Sequence, residues 1–161
     1  MENINVKITV KNYGTMTAEL YPDKAPITVE NFVKLVKEGF YEGLIFHRVI
    51  YGFMIQGGGY DAIMRDKDAE SIVGEFAANG HPENDIKHTR GVLSMARTMI
   101  PDSASSQFFI MHQDAPHLDG QYAAFGALTD GIEVVDKIAA VATNFSDAPV
   151  NPVVIEKIEL I

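Results

Sequence analysis

The stretch FHRVIYGFMIQGGG, residues 46–59, sets His47, Arg48 and Gln56 among strongly apolar neighbours. An arginine is always charged, so it cannot act as an acid or a base. It can donate hydrogen bonds from a rigid fork to an oxygen or a nitrogen lone pair. In strands this hydrophobic, a cation and an amide either face water on the outer side of a sheet or line a site. Spacing alone leaves both open. Other residue sets suggest other chemistry. Histidines stand at 47, 81, 88, 112 and 117, but no H-x-x-x-H pair occurs, which favours surface or hydrogen-bonded roles over a metal site. QGGG opens no helix and is followed by no G-K-[ST], so it reads as a tight strand exit and not a phosphate cradle. Ser105 and Ser106, in SASSQF, lack the G-x-S-x-G elbow; a hydrolase pairing with His112 or His117 is the weaker reading beside plain turn residues.

Composition narrows the classes further. There is no cysteine among 161 residues, which removes disulfides, thiolate catalysis and cysteine-ligated metals. A net charge of −9, with the basic residues scattered among acids as in MRDKDAE, repels phosphate backbones and anionic lipid. Neither nucleic acid nor membrane is therefore an expected partner. MENINVKITV lacks a basic segment followed by an apolar core, so no signal peptide is expected, and no apolar run is long enough to cross a bilayer. A soluble, cytoplasmic protein of one domain is the expectation.

The elements that must position the polar groups are mostly strands. Ile4, Val6, Ile8 and Val10 alternate with polar residues, Asn12-Tyr13-Gly14 turns the chain, and Met16, Ala18 and Leu20 resume the alternation, which predicts a hairpin. Val29, Phe32, Val33 and Val36 then follow helical spacing, with Pro26 suited to the first turn and Gly39 to a left-handed stop. Two short strands occupy the opening stretch, joined at Tyr51-Gly52. Residues 58–90 read as a long charged loop, and GVLSMA, QFFIM and YAAFGAL as strands. A second helix follows Thr129-Asp130-Gly131 with Val134, Val135 and Ile138 inward, and PVVIEKIELI is a last strand. About eight strands with short turns suggest a barrel or sandwich whose terminal strands pair.

In this order, FHRVIYGFMIQGG, GVLSMAR, SSQFFI and LDGQYAAFG closely resemble the cyclophilin-type peptidyl-prolyl isomerases, and APITVENFVKL and the terminal strands extend the likeness over the whole chain. The resemblance implies a mostly β fold: a closed eight-stranded antiparallel barrel with two capping α-helices, one domain over residues 1–161. It implies that Arg48 is catalytic, with Gln56 the polar residue beside it. Phe53, Met54, Phe109 and Leu118 match the pocket for the substrate proline ring, while Gln107 and Ala96 match positions lining the peptide groove. No metal or cofactor is implied. The implied partners are X-Pro segments of peptides and of unfolded or partly folded proteins, met by a monomer.

These residue types suit the reaction. Rotation about a peptide bond faces a barrier of about 18–20 kcal/mol because the C–N bond has partial double-bond character. X-Pro bonds have nearly balanced isomers yet exchange over tens of seconds or more. In the twisted state the proline nitrogen regains a lone pair. Arg48 can donate to that nitrogen or to the turning carbonyl oxygen, while the apolar pocket fixes the ring.

The chain also departs from the family. His117 stands where many members carry the tryptophan associated with tight cyclosporin binding, so weak binding of that drug is implied. Tyr122 replaces a frequent histidine but still offers a ring and a hydroxyl to the rim. Arg97 stands where asparagine is frequent, with its backbone still able to meet substrate. Gly59 and YDAIMRDKDAE depart from the usual continuation and could alter flanking preference. The competing expectation is a proline-peptide binding or chaperone module with little isomerase activity.

Overall fold

The computed structural model describes residues 2–161. The first hairpin joins β1 (Ile4–Val10) to β2 (Gly14–Leu20), and helix α1 (Pro26–Lys37) follows. Then come β3 (Arg48–Ile50), β4 (Met54–Gly57), β5 (Val92–Met95), β6 (Phe108–Met111) and β7 (Ala124–Asp130). Helix α2 (Ile132–Ala139) and β8 (Ile155–Leu160) complete the chain, with single 3₁₀ turns at Ala77–Asn79 and Pro116–Leu118.

All eight strands form one antiparallel sheet in the order β3-β4-β6-β5-β7-β2-β1-β8. The terminal strands pair as expected, with Ile8 opposite Ile158. The expectation of a closed barrel is corrected: the sheet is a curled half-barrel, because its edge strands β3 and β8 share no ladder. β3 is only three residues long, so the chain that leads into it makes the seam instead. There Gly43 N–H donates to Ile155 O (2.9 Å), Ile155 N–H to Leu44 O (2.7 Å) and Phe46 N–H to Val153 O (3.0 Å), with a lone bridge between Ile45 and Val154. These bonds link the approach to β3 with the start of β8 without a continuous ladder.

Both helices pack their apolar faces into the curl. Thr28, Val29, Phe32, Leu35 and Val36 of α1 are buried, as are Val134, Val135, Ile138 and Ala139 of α2. α1 stops as its sequence predicted: Gly39 (φ +70°) donates to Val36 O and Phe40 N–H to Leu35 O, the paired bonds of a left-handed C-terminal cap. Its start has no local cap, since Ala25 precedes it. Glu75, on the long loop, fills that role: the carboxylate accepts from Thr28 N–H (2.6 Å) and Thr28 Oγ1 (2.7 Å). A carboxylate at a helix N-terminus satisfies an orphan donor and opposes the positive end of the dipole.

Each of the strands β3 to β7 presents alternate residues to two apolar layers. Val49, Ile55, Leu93, Phe108, Ile110 and Phe125 join the main interior core, with Phe32, Tyr41 and Phe46. Met54, Val92, Phe109, Met111 and Ala124 face the other way and form a second, smaller cluster with Ala115 and Leu118. The second cluster carries the polar groups of interest.

Candidate active site

Register puts Arg48 opposite Gln56, Gln56 opposite Phe109 and Phe109 opposite Ser94, so these residues form one row across four strands on the outer face. Arg48, at the exposed edge, donates from Nη1 to Gln56 Oε1 (3.2 Å), and Gln56 Nε2 donates to Gln107 Oε1 (3.0 Å). The relay fixes which end of the Gln56 amide faces the guanidinium. It also explains Gly59, where a Cβ would collide with the Gln107 side chain. The QGGG glycines therefore serve close packing. Gly58 (φ +91°) likewise lies against the Tyr41 ring, and its carbonyl accepts from Ser106 Oγ (2.7 Å).

All the candidate residues except Gln107 line one cavity of about 340 Å³: Arg48, Phe53, Met54, Gln56, Ala96, Arg97, Phe109, His117, Leu118 and Tyr122. Gln107 lines an adjoining cavity of about 240 Å³ that shares Gln56, Ala96 and Arg97. Met54, Phe109 and Leu118 are buried and form the apolar floor. The walls are aromatic: His117 stacks on Phe53 (5.8 Å, 29°), and Tyr122 meets Phe109 edge-on (5.9 Å, 84°). The site thus combines an apolar recess with two guanidinium groups in its lining, Arg48 and Arg97, and a line of amides beside it. A larger cavity of about 700 Å³ lies elsewhere, between Ile4, Pro22 and the outer surface of α1. It offers helix-surface lysines and glutamates but no comparable row of fixed polar groups.

Three supporting arrangements were not foreseen from the sequence. The Arg97 guanidinium lies 4.7 Å from the ring centroids of both Phe76 and Tyr122 and donates to Gln121 O (2.7 Å) and Thr98 O (2.9 Å). Its side chain is a strut for the Tyr122 wall, held by cation–π contact and backbone bonds.

Behind Phe109, the buried His88 ring stacks at 6.1 Å; its Nδ1–H donates to Asp119 (3.2 Å) and its Nε2 accepts from Ser94 Oγ (2.8 Å). Burial outweighs Asp119 and lowers the His88 pKa, so this is a hydrogen bond to a neutral ring and not an ion pair. Ser94 has no exposed surface, which removes this serine–histidine–aspartate set from contact with any substrate.

At the β3–β4 turn, His112 Nδ1 accepts from Gly52 N–H (2.9 Å), while His112 N–H donates to Phe53 O (2.9 Å). The ring's Nε2–H then faces Asp136 of α2 (3.2 Å). Arg90 holds Asp136 through two 2.7 Å bonds and keeps its carboxyl below the usual range. This chain of contacts ties Phe53 to the second helix. A local pattern could have flagged only the histidine, not its partners.

His47 lies outside this machinery. Burial first, and the adjacent Arg48 charge second, push it down to about 4, so the ring is neutral and adds no charge beside Arg48. Ser106 is buried and bonded to Gly58 O, and the Ser105 carbonyl accepts from Asn31 (2.7 Å); both serve packing between segments.

Comparison with known proteins shows the family to which the whole chain belongs. The family model described as "Cyclophilin type peptidyl-prolyl cis-trans isomerase/CLD" matches residues 5–160. The chain is 44% identical to a peptidyl-prolyl cis-trans isomerase of Acinetobacter baylyi, over 97% of this chain and 86% of that one. It is 43% identical to peptidyl-prolyl cis-trans isomerase B of Escherichia coli, over 91% and 94%. Among solved structures, a cyclophilin-type isomerase of Cryptosporidium parvum superposes with a TM-score of 0.84 at 32% identity, covering 99% of this chain and 98% of that one. The same protein in the presence of the dipeptide Ala-Pro superposes with a TM-score of 0.82 at 33% identity, covering 98% of each chain. Among the described residues, no helix is long and apolar enough to cross a membrane.

Proposed function

The chain belongs to the cyclophilin-type peptidyl-prolyl cis-trans isomerases, and we propose that Arg48 and the apolar recess beside it form its catalytic centre, within one isomerase domain spanning residues 1–161. The observation that supports this reading is the single cavity of about 340 Å³ in which Arg48 meets Phe53, Met54, Phe109 and Leu118. In this mechanism the recess holds the proline ring while the preceding carbonyl turns. Arg48 donates to the proline nitrogen as its lone pair returns, or to the turning oxygen, and so favours the twisted state over either planar one. Gln56, held between Arg48 and Gln107, keeps the guanidinium aimed and steadies the flanking peptide. Ala96 and the Arg97 backbone line the continuing groove. No proton is transferred and no covalent bond is made.

The substrates are X-Pro segments of peptides and incompletely folded proteins, acted on by a monomer. Cyclosporin binds weakly, because the exposed His117 ring, already stacked on Phe53, takes the place of a larger indole. Exchange NMR on an Ala-Pro peptide tests the reading. Catalytic amounts of protein should accelerate cis/trans exchange, and Arg48→Ala should slow it by about 10²–10³-fold, the loss typical of one preorganised donor. Near-normal exchange in that variant would remove Arg48 from the mechanism. Peptide binding without faster exchange would favour a binding module.

A further inference from the structure

The loop over residues 98–103 is held more firmly than its exposure requires. Thr98 donates from its N–H (2.9 Å) and its Oγ1 (2.8 Å) to Ser103 Oγ. Ser103 Oγ donates to Ile100 O (2.7 Å), and Ile100 N–H donates to Thr98 Oγ1 (3.2 Å). From outside the loop, Gly74 N–H and Asn79 Nδ2 each donate to Asp102 Oδ1 at 2.9 Å. This frame turns two large apolar side chains into water: Met99 is 94% exposed and Ile100 66%. An ordered loop has no stability reason to fix such side chains outward, because side chains of this size gain substantially from burial.

Position supplies the reason. Thr98 and Ser103, the residues that pin the loop, also line the 240 Å³ cavity beside Gln56 and Gln107. The Met99–Ile100 tip is thus carried by the loop whose two ends form part of this cavity wall, on the side where a polypeptide extending from the proline recess past Gln56 and Gln107 would run. We propose that Met99 and Ile100 form an apolar contact ridge for the client polypeptide itself, selecting a hydrophobic residue a few positions from the proline. The inference rests on the isomerase reading of the adjoining cavity.

A folded partner or a second copy fits less well, since two side chains are a small fraction of the roughly 800 Å² per partner that a stable interface buries. A chain already tethered by its proline needs far less, because the second contact is then intramolecular. The ridge therefore suits clients that still expose apolar residues.

The test compares two peptide series around a central Ala-Pro, one with a Leu pair and one with a Ser pair two to five residues away on either side. Dissociation constants come from NMR titration and turnover from exchange NMR. The wild-type protein should prefer the Leu peptide on one flank by about three- to tenfold, the scale of partly burying one side chain. M99S/I100S should abolish that preference. Ile161→Ser, which removes an exposed apolar side chain beside β1, should retain it. Equal affinity of the wild-type protein for both series would overturn the ridge, as would a preference that survives M99S/I100S or is lost equally in Ile161→Ser. If neither peptide's exchange is accelerated, the isomerase reading fails while the affinity ratio still decides on the ridge.

Discussion

The interior core and the outer apolar cluster are made from alternate residues of the same strands, yet they end differently. In β6 the neighbours Phe108 and Phe109 point to opposite sides, one into each cluster. The inner side is covered by this chain's own elements, both helices and the β1–β2 hairpin, and packs aromatic on aromatic: Phe32 lies 5.3 Å from Tyr41 and 5.5 Å from Phe108. The outer side is covered only in part, by the turn at Pro116–Leu118 and by Tyr122, and the uncovered remainder is the cavity beside Arg48. The recess is thus a second core left partly open, which in the proposed mechanism the substrate chain completes.

The sharpest way to break this comparison is to truncate one ring on each side. Phe108→Ala should cost about 3–5 kcal/mol of stability, as expected for an aromatic removed from a closed core that cannot collapse. Urea denaturation reads this as a lower midpoint. Phe109→Ala should cost clearly less stability, because its site already opens to solvent, while kcat/KM on an Ala-Pro peptide falls roughly tenfold to a hundredfold. Equal stability losses, with activity untouched in Phe109→Ala, would mean the two faces do the same job.

Much of this was legible from residue types. Period-two alternation located β1 and β2, short apolar runs located the other strands, and Pro26 with Gly39 bounded α1 to within the observed Pro26–Lys37. Motif resemblance picked out the residues that share the cavity. What periodicity lacked was partnership. Phe108 and Phe109 are alike as letters, and only the position of the helices decides which face stays open. The cap of α1 comes from Glu75, 47 residues from Thr28, and no local pattern encodes such a meeting. Likewise β3 is only three residues long and the chain entering it is irregular, so the implied barrel stays a half-barrel whose edges meet through a few single bonds and no ladder.

A smaller effect should come from the brace behind Phe53. His112→Ala removes the acceptor of Gly52 N–H and the link to Asp136, so the β3–β4 turn loses its tie to α2. The expected cost is about 1 kcal/mol of stability. Poorer placement of Phe53 should also raise KM by roughly fivefold, with kcat little changed. His112→Asn, whose amide can supply an acceptor toward Gly52, should recover part of the loss. A fall in kcat alone would argue that the brace acts on Arg48 and not on the ring recess.

The last contrast separates the two faces by pH. His47 sits where the chain enters β3, its ring 4.7 Å from Tyr60 and its Nδ1 buried without a hydrogen-bond partner. Its pKa is lowered from 6.5 to about 4 in the fold, so the unfolded chain binds a proton that the native protein refuses. That term is fully present above pH 6.5 and is lost as pH falls toward 4, at most about 1.4 kcal/mol per pH unit for one proton. The His88 pKa is also lowered, chiefly by burial, and its contribution is lost in the same direction. A variant must therefore separate them. His47→Asn should flatten part of the acid slope in Tm while NMR still follows the His88 ring. If the slope is unchanged in His47→Asn, the acid sensitivity belongs to the ring behind Phe109, and it is the outer cluster, not the entry to β3, that acid loosens first.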